Sequence, residues 1–239
     1  AIQKRVLRCH HLYDIKRDQT AKNRVVVNGS RQHSDTYTDT TSPVASQLQL
    51  RLFLAVSAFR KYSIIQLDLT NAYLHAPIVD VVYIYVPEGF PGQGEIARLR
   101  KAAYGTKQGA RRFYDYTANV LQHIGMQQCP IEPCLFRYLH NGDECFLIQY
   151  VDDSLIAGHP QAINQLIQEM RKYFKCKFIQ PKDFLGLDLT ITQPGHIQLA
   201  MHTFTSKMVD ALQVRDGYPG EILTPGRTDK KTYEKLRSK

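Results

Sequence analysis

The stretch Tyr150-Val151-Asp152-Asp153 constrains this chain most. It lies between two short apolar runs, Phe146-Leu147-Ile148 and Leu155-Ile156-Ala157-Gly158. Runs of that length read as strands, so the segment predicts a β-hairpin with two carboxylates at its tip. Adjacent like charges repel, and a half-buried carboxylate needs a partner. A divalent cation is a natural one, because hard oxygen ligands suit magnesium. The plainer alternative is a polar hairpin turn, since Asp is a common turn residue.

A third carboxylate favours the cation. Ser63-Ile64-Ile65-Gln66-Leu67-Asp68 reads as a second strand ending in Asp, followed by Leu69-Thr70-Asn71-Ala72-Tyr73. Three aspartates at the ends of two strands suit a two-metal site, in which paired ions activate a hydroxyl and stabilise a leaving phosphate. Tyr150-Val151-Asp152-Asp153, with Asp68-x-x-x-Ala72-Tyr73 upstream, resembles the polymerase palm of reverse transcriptases, and more narrowly the copia-type retrotransposon enzymes. The supporting segments are Thr41-Ser42-Pro43-Val44-Ala45, Gln66-Leu67-Asp68, Pro87-Glu88-Gly89-Phe90, Tyr104-Gly105-Thr106-Lys107-Gln108 and Phe184-Leu185-Gly186. Each is weak alone; their order along nearly the whole chain is specific. Thr106 stands where the family usually has Leu, and Phe113 where it commonly has Trp.

The resemblance implies roles residue by residue. Asp68, Asp152 and Asp153 would be catalytic and hold two Mg2+ ions, with Mn2+ as a substitute and the Leu69 carbonyl within reach. Lys22, Arg24, Ala72, Tyr73 and Gln108 would contact the incoming nucleotide. Lys107, Arg111, Tyr150, Val151, Leu185 and Gly186 would contact the template-primer, the last two as a primer grip.

Composition agrees with a polyanionic partner. The 239 residues suffice for one large or two small domains with a real core. There are 31 Lys and Arg against 22 Asp and Glu, a formal charge of +9, which favours nucleic acid first and anionic membrane second. No apolar run approaches a membrane span. The first residues, Ala1-Ile2-Gln3-Lys4-Arg5, lack a signal-peptide core and a starting Met, so the chain reads as a fragment or processed piece. The five cysteines are scattered and form no C-x-x-C pair, so neither a disulfide framework nor a zinc site is expected.

Along the chain, Val6-Leu7 with Leu12-Tyr13, and Val25-Val26-Val27, predict two strands of a basic ribbon. Ser42-Pro43 is expected to open a helix, as N-cap and first helical residue, with Leu48, Leu52, Ala55 and Phe59 as its core stripe. Asn71 to Leu74 predicts a turn or short helix, and Val81 to Val86 a β-rich run. Residues 98–112 carry six Lys and Arg with no acid, including the glycine-flanked turn Gly105 to Gly109. A helix then presents Phe113, Thr117, Val120, Leu121 and Ile124 and ends at Gly125. Cys134 to Tyr138 is a strand, Asn141-Gly142 a hairpin turn, and Pro160 opens a helix with Ile163, Leu166, Ile167, Met170 and Phe174 buried. Phe184 to Leu189 is expected as one strand paired with Ile197 to Leu199 through Pro194-Gly195. His202 to Leu212 resembles a first thumb helix, and Thr224-Pro225 also matches the family.

These readings combine into an α+β fold with an antiparallel palm sheet, helices on one face and nucleic acid across the other. The resemblance implies a right-hand arrangement: residues 1–62 and 80–125 as fingers, 63–79 and 126–200 as palm, and 201–239 as the start of a thumb. The expected function is RNA-directed DNA polymerisation from dNTPs on an RNA or DNA template-primer, in a cytoplasmic particle or the nucleus. Ribonuclease H and integrase regions of the same polyprotein are absent from this chain, and its oligomeric state is not legible. Two alternatives stand beside this. One is an RNA-templated RNA polymerase, disfavoured by the bulky Tyr73; the other is an inactive or repurposed element-derived fragment that only binds nucleic acid.

Overall fold

Apolar runs of four to eight residues separated by glycine and asparagine turns build a sheet-centred fold. The computed structural model describes residues 6–15 and 19–211. In chain order the strands are β1 (Cys9–Ile15), β2 (Ala21–Val27), β3 (Ser63–Leu69), β4 (Tyr83–Tyr85), β5 (Ile96–Arg98), β6 (Gln127–Gln128), β7 (Leu135–His140), β8 (Asp143–Tyr150), β9 (Asp153–Gly158), β10 (Cys176–Ile179), β11 (Asp183–Phe184), β12 (Leu187–Gln193) and β13 (His196–Ala200). The helices are α1 (Gln47–Phe59), α2 (Gly109–His123), α3 (Pro160–Arg171) and α4 (His202–Ala211). The fold is α+β, and every pairing between these strands is antiparallel. No helix among the described residues is long and apolar enough to cross a membrane.

The central sheet has six strands in the order β10-β3-β9-β8-β7-β6. Paired residues share a face. One face carries Leu67, Ile156, Leu147 and Phe136, all fully buried. Helix α3 packs across β7, β8 and β9 there, driven by Ile163, Leu166 and Met170. Helix α2 lies alongside, burying Phe113, Thr117, Val120 and Leu121, and turns off at Gly125, whose φ is +96°. The other face carries Asp68 and Gln66 on β3, Asp153 and Leu155 on β9, and Tyr150 and Ile148 on β8. A three-stranded sheet, β11-β12-β13, and the ribbons β1-β2 and β4-β5 complete the fold.

Several expectations change. Helix α1 starts four residues later than expected: Ser46 is the N-cap, in a reciprocal capping box with Gln49, and Ser42-Pro43 lies in irregular chain. Its buried side is Leu50, Phe53, Leu54 and Ser57, so the expected core stripe of Leu48, Leu52, Ala55 and Phe59 faces outward. This helix also lies on the face opposite α3, which corrects the expectation of helices on one face only. Phe184 to Leu189 is two strands: Leu185 and Gly186, at φ of +55° and +77°, form the two-residue turn of a β11–β12 hairpin. The β-rich run at Val81 narrows to Tyr83–Tyr85. The Asn141-Gly142 hairpin and the short 3-10 turn at Ala72–His75 form as predicted. Thr224-Pro225 and the last residue of the expected thumb helix, Leu212, lie outside the described residues.

The β1–β2 ribbon is fixed to the rest of the chain by backbone contact. Val27 N–H donates to the Tyr104 carbonyl at 2.8 Å. A Cβ on Gly105 would sit 2.0 Å from the Val27 carbonyl oxygen, and Gly105 has φ of +85°. The Tyr104-Gly105 pair is therefore a clamp in which only glycine permits the approach. Gly105→Ala should destabilise the protein by about 2 kcal/mol or more, from the backbone clash together with the left-handed φ. Gly94→Ala, with φ of +84° but nothing within 4 Å, should cost about 1 kcal/mol. Urea unfolding of both variants measures the difference; equal losses would contradict the clamp.

Candidate active site

The hairpin of β8 and β9 places Asp152 at its tip. Tyr150 pairs with Asp153, leaving Val151 and Asp152 as a two-residue loop. Val151 has φ of +52°, a left-handed conformation that a β-branched residue adopts only under constraint. Buried Gln149 lies beneath and donates through Nε2 to the Val151 carbonyl at 3.2 Å. Its Oε1 has no hydrogen-bond partner among the described residues. Strain and an unpaired polar atom thus meet at this turn.

The sheet register gathers the carboxylates. Asp68 on β3 is directly opposite Asp153 on β9. Like charges in that position are destabilising. Burial pushes the Asp153 carboxyl up to about 6, with Asp152, Asp68 and Asp183 adding repulsion and a hydrogen bond from Gln66 opposing it. Asp68 itself is exposed, and Asp152 and Asp153 are half-buried. Among the described residues no group of three or more His, Cys, Asp or Glu side chains is drawn together closely enough to cage a metal. Magnesium is usually held by one or two carboxylates plus substrate phosphates, so its site needs no all-protein cage. The donor set fits such an ion: hard oxygen donors from two paired strands, with a repulsion that a cation relieves.

Beside the carboxylates lies an aromatic stack. Asn71, at φ of +55°, turns the chain after β3 into the Ala72–His75 turn. Ala72 is buried and Tyr73 half-exposed. Tyr73 packs against Tyr104, at 4.3 Å between ring centroids, and against Phe113, at 5.6 Å. The Arg24 guanidinium lies over the Tyr104 ring, at 5.9 Å from its centroid. Burial, then the Asp152 charge, raises the Tyr73 hydroxyl and pushes Tyr104 up to about 12. Leu69 follows Asp68 with its side chain buried.

The remaining sequence-predicted residues separate. Gln108 is fully buried: its Oε1 accepts from Gln32 Nε2 at 2.8 Å, and its Nε2 donates to the Thr36 carbonyl at 3.0 Å and to Asp80 at 3.3 Å. It ties the ribbon segment to α2 and presents no spare polar group to a nucleotide in this conformation. Lys107 donates to the Tyr37 hydroxyl at 3.2 Å, and Arg111 pairs with Asp39 at 2.7 Å and Asp115 at 2.8 Å. Lys22 and Arg24 share a face of β2, but Lys22 pairs across the ribbon with Asp14, farther from the stack. Leu185 and Gly186 form the β11–β12 turn, in the hairpin that also carries Asp183.

Four residues were missed in the sequence. Tyr104 reaches the stack because of the Val27 backbone contact, which no local spacing reveals. Asp183 acts on Asp153 from the neighbouring small sheet. Lys177 lies across from Asp68 on β10. Gln66 was visible as a polar residue in an apolar strand, two positions before Asp68, and the period of a strand puts both on one face.

Comparison with known proteins places this geometry in context. Residues 2–225 match the profile of a family described as reverse transcriptase (RNA-dependent DNA polymerase). The chain is 28% identical over 236 residues to the transposon Ty1-LR3 Gag-Pol polyprotein of Saccharomyces cerevisiae, covering 94% of this chain and 13% of that protein. It is equally similar to the truncated transposon Ty1-A Gag-Pol polyprotein of the same organism, covering 19% of it. The chain thus spans less than a fifth of the length of these relatives. Among solved structures, a foamy viral protease-reverse transcriptase in complex with double-stranded DNA aligns with a TM-score of 0.48 at 14% identity, covering 90% of this chain and 35% of that one.

The Asp153 environment has a direct consequence for stability. Its carboxyl titrates near 6 in the folded chain against an ordinary 3.8, so the folded state holds the proton more tightly than the unfolded state. This contribution favours folding below pH 4 and is lost as pH rises towards 6. Solvent screening reduces it to about 1 kcal/mol. In EDTA, Asp153→Asn should remove that loss, narrowing the difference between urea midpoints at pH 4.5 and pH 7. An unchanged difference would show that Asp153 carries no such penalty.

Proposed function

From a chain that belongs to the copia-type branch of the reverse transcriptase (RNA-dependent DNA polymerase) family, we propose nucleotidyl transfer from a dNTP to a primer 3′-hydroxyl at the β8–β9 hairpin. The observation that carries this is the register of β3 against β9, which brings Asp68 and Asp153 face to face with Asp152 at the adjoining tip. The primer oxygen forms a bond to the α-phosphorus, the bond to the β-phosphate bridging oxygen breaks, and pyrophosphate leaves. Magnesium, when bound, supplies positive charge at the transferring phosphate and eases deprotonation of the attacking hydroxyl.

The chain's own residues do the rest. Asp68 and Asp152 are the metal-holding carboxylates, with the Leu69 carbonyl beside them, and Asp153 completes the negative cluster. Tyr73, packed against Tyr104 and Phe113, offers its exposed part to the sugar and blocks a 2′-hydroxyl by collision, a form of selection that needs no hydrogen bond. Arg24, which rests on Tyr104, is the ribbon cation that would meet the triphosphate. The primer end approaches the Leu185-Gly186 turn. In this reading β1–β2 and residues 80–125 act as fingers, the six-stranded sheet as palm, and α4 begins a thumb. The template is RNA or DNA. Ribonuclease H and integrase activities would belong to other parts of a longer polyprotein.

Primer extension with magnesium on RNA and DNA templates tests the proposal. Asp152→Asn should abolish incorporation with the thermal melt preserved, because one lost charge weakens metal holding without disturbing the core. Tyr73→Val should raise ribonucleotide use relative to deoxyribonucleotide use by about 1–3 kcal/mol of discrimination, the scale of small steric changes in a pocket. Equal incorporation by parent and Asp152→Asn would overturn the assignment. Binding of template-primer without any extension by the parent would favour a fragment that only binds nucleic acid.

A further inference from the structure

Asp80 is an acidic residue inside an apolar run, Ile78-Val79-Asp80-Val81-Val82, and its side chain is 14% exposed. A carboxylate so placed needs paired donors. One oxygen, Oδ2, accepts from Arg112 Nη2 at 3.1 Å and from Gln108 Nε2 at 3.3 Å. Arg112 Nε is buried and has no hydrogen-bond partner among the described residues. A guanidinium beside a carboxylate commonly closes a two-point fork through Nε and a terminal nitrogen. Here that fork stays open, and Asp80 Oδ2 is shared with Gln108 instead. An orphaned buried donor needs a reason, and the reason lies in what Gln108 holds.

Gln108 is the N-cap of α2, yet its side chain makes no capping bond. Its Nε2 donates to Asp80 and, at 3.0 Å, to the Thr36 carbonyl, which uses both hydrogens. Its Oε1 accepts from Gln32 Nε2 at 2.8 Å, and Gln32 Oε1 in turn accepts from Lys107 N–H at 3.0 Å. Gln32 and Gln108 are both buried. Residues 32–36, Asp80 and the entry to α2 thus meet in one buried polar network, and such a network fixes the pieces it joins. The next residue, Gly109, lies against Tyr73. A Cβ there would sit 3.3 Å from Tyr73 Cδ1, 2.7 Å from Thr106 Oγ1 and 2.9 Å from the Ala103 carbonyl oxygen. Phe113, one turn further along α2, also packs on the Tyr73 ring. The entry to α2 therefore sets where that ring can sit.

We propose that Asp80 is a positioning residue for sugar selection: through Gln108 it holds the entry of α2 against Tyr73. This role rests on the assignment of Tyr73 to the nucleotide sugar, and Asp80 itself needs no contact with substrate. Without the Asp80 carboxylate, Gln108 loses an acceptor and the network loosens at its α2 end, so the Tyr73 ring gains room to move aside. A ring with that room collides less with a 2′-hydroxyl, and ribonucleotides gain relative to deoxyribonucleotides. The contrasting role is a Gln108 amide that bonds the nucleotide itself and is only stored on Asp80. Removing Asp80 would then tighten both nucleotides alike.

Nucleotide affinity of the 239-residue chain on a dideoxy-terminated template-primer tests this without turnover, with matched dNTP and rNTP compared as a ratio. Asp80→Ala should raise relative rNTP affinity roughly threefold or more, the scale of coupling within one network. In a Tyr73→Val background the same substitution should leave the ratio unchanged, because its effect passes through that ring. Arg112→Met, which keeps the Asp80–Gln108 bond, should keep the parent ratio. Asp80→Ala strands a buried guanidinium. The double variant Asp80→Ala, Arg112→Met removes the whole pair and should show the raised ratio even if the single variant fails to fold. A parent ratio in both Asp80 variants, an equal shift in the Tyr73→Val background, or tighter binding of both nucleotides alike would overturn the positioning role alone. A parent chain that binds neither nucleotide, or a Tyr73→Val ratio equal to the parent's, would overturn the sugar assignment and this role with it.

Discussion

The pairing of β3 with β9 sets two carboxylates against each other across a sheet. Asp68 and Asp153 are directly opposed, with Asp152 one residue away in the turn. A sheet evolved only for stability avoids like charges in that position. Apolar packing on both faces of the sheet holds this register: Leu67 and Leu147 are buried on the side that α3 covers, and Leu155 and Ile148 on the carboxylate side. A slip of one residue would turn the aspartates onto the face that α3 covers, among Leu67, Leu147 and Ile156. The same apolar pattern that makes the core therefore fixes the charge cluster.

The turn between β8 and β9 extends this logic. Val151 holds a positive φ, and Gln149 beneath it bonds to its carbonyl while leaving its own oxygen unpaired. Tyr73, Tyr104 and Phe113 stack beside the cluster, and the Val27–Tyr104 contact brings Arg24 over the stack. A ribbon far away in sequence thus joins the site through one backbone hydrogen bond and a glycine that tolerates the approach.

Much of this was legible in the sequence, and the failures have physical causes. The β8–β9 hairpin, the Asn141-Gly142 turn and the inner faces of α2 and α3 followed from period and turn chemistry, because each has a single apolar side. Helix α1 defeated the same reasoning. With Leu or Phe on every side, periodicity could not choose which stripe is core, and the Ser46–Gln49 capping box outweighed the proline signal four residues earlier. Leu185-Gly186 looked like continuous strand because leucine rarely takes a positive φ. Gln108 occupies the expected place in the chain, but its amide turns inward to Gln32, Thr36 and Asp80, a choice set by residues more than twenty-five positions away. Tyr104 and Asp183 reach the site only through tertiary contact.

In the proposed reaction Asp68, Asp152 and Asp153 form a cation site that the substrate completes. Electron paramagnetic resonance of Mn2+ titrated into the chain measures this, with and without a dideoxy-terminated template-primer and matching dNTP. Weak binding to the chain alone should tighten when primer and dNTP are present, and Asp68→Asn should lose the tightened fraction. Identical Mn2+ binding by parent and Asp68→Asn in the presence of both substrates would contradict the account.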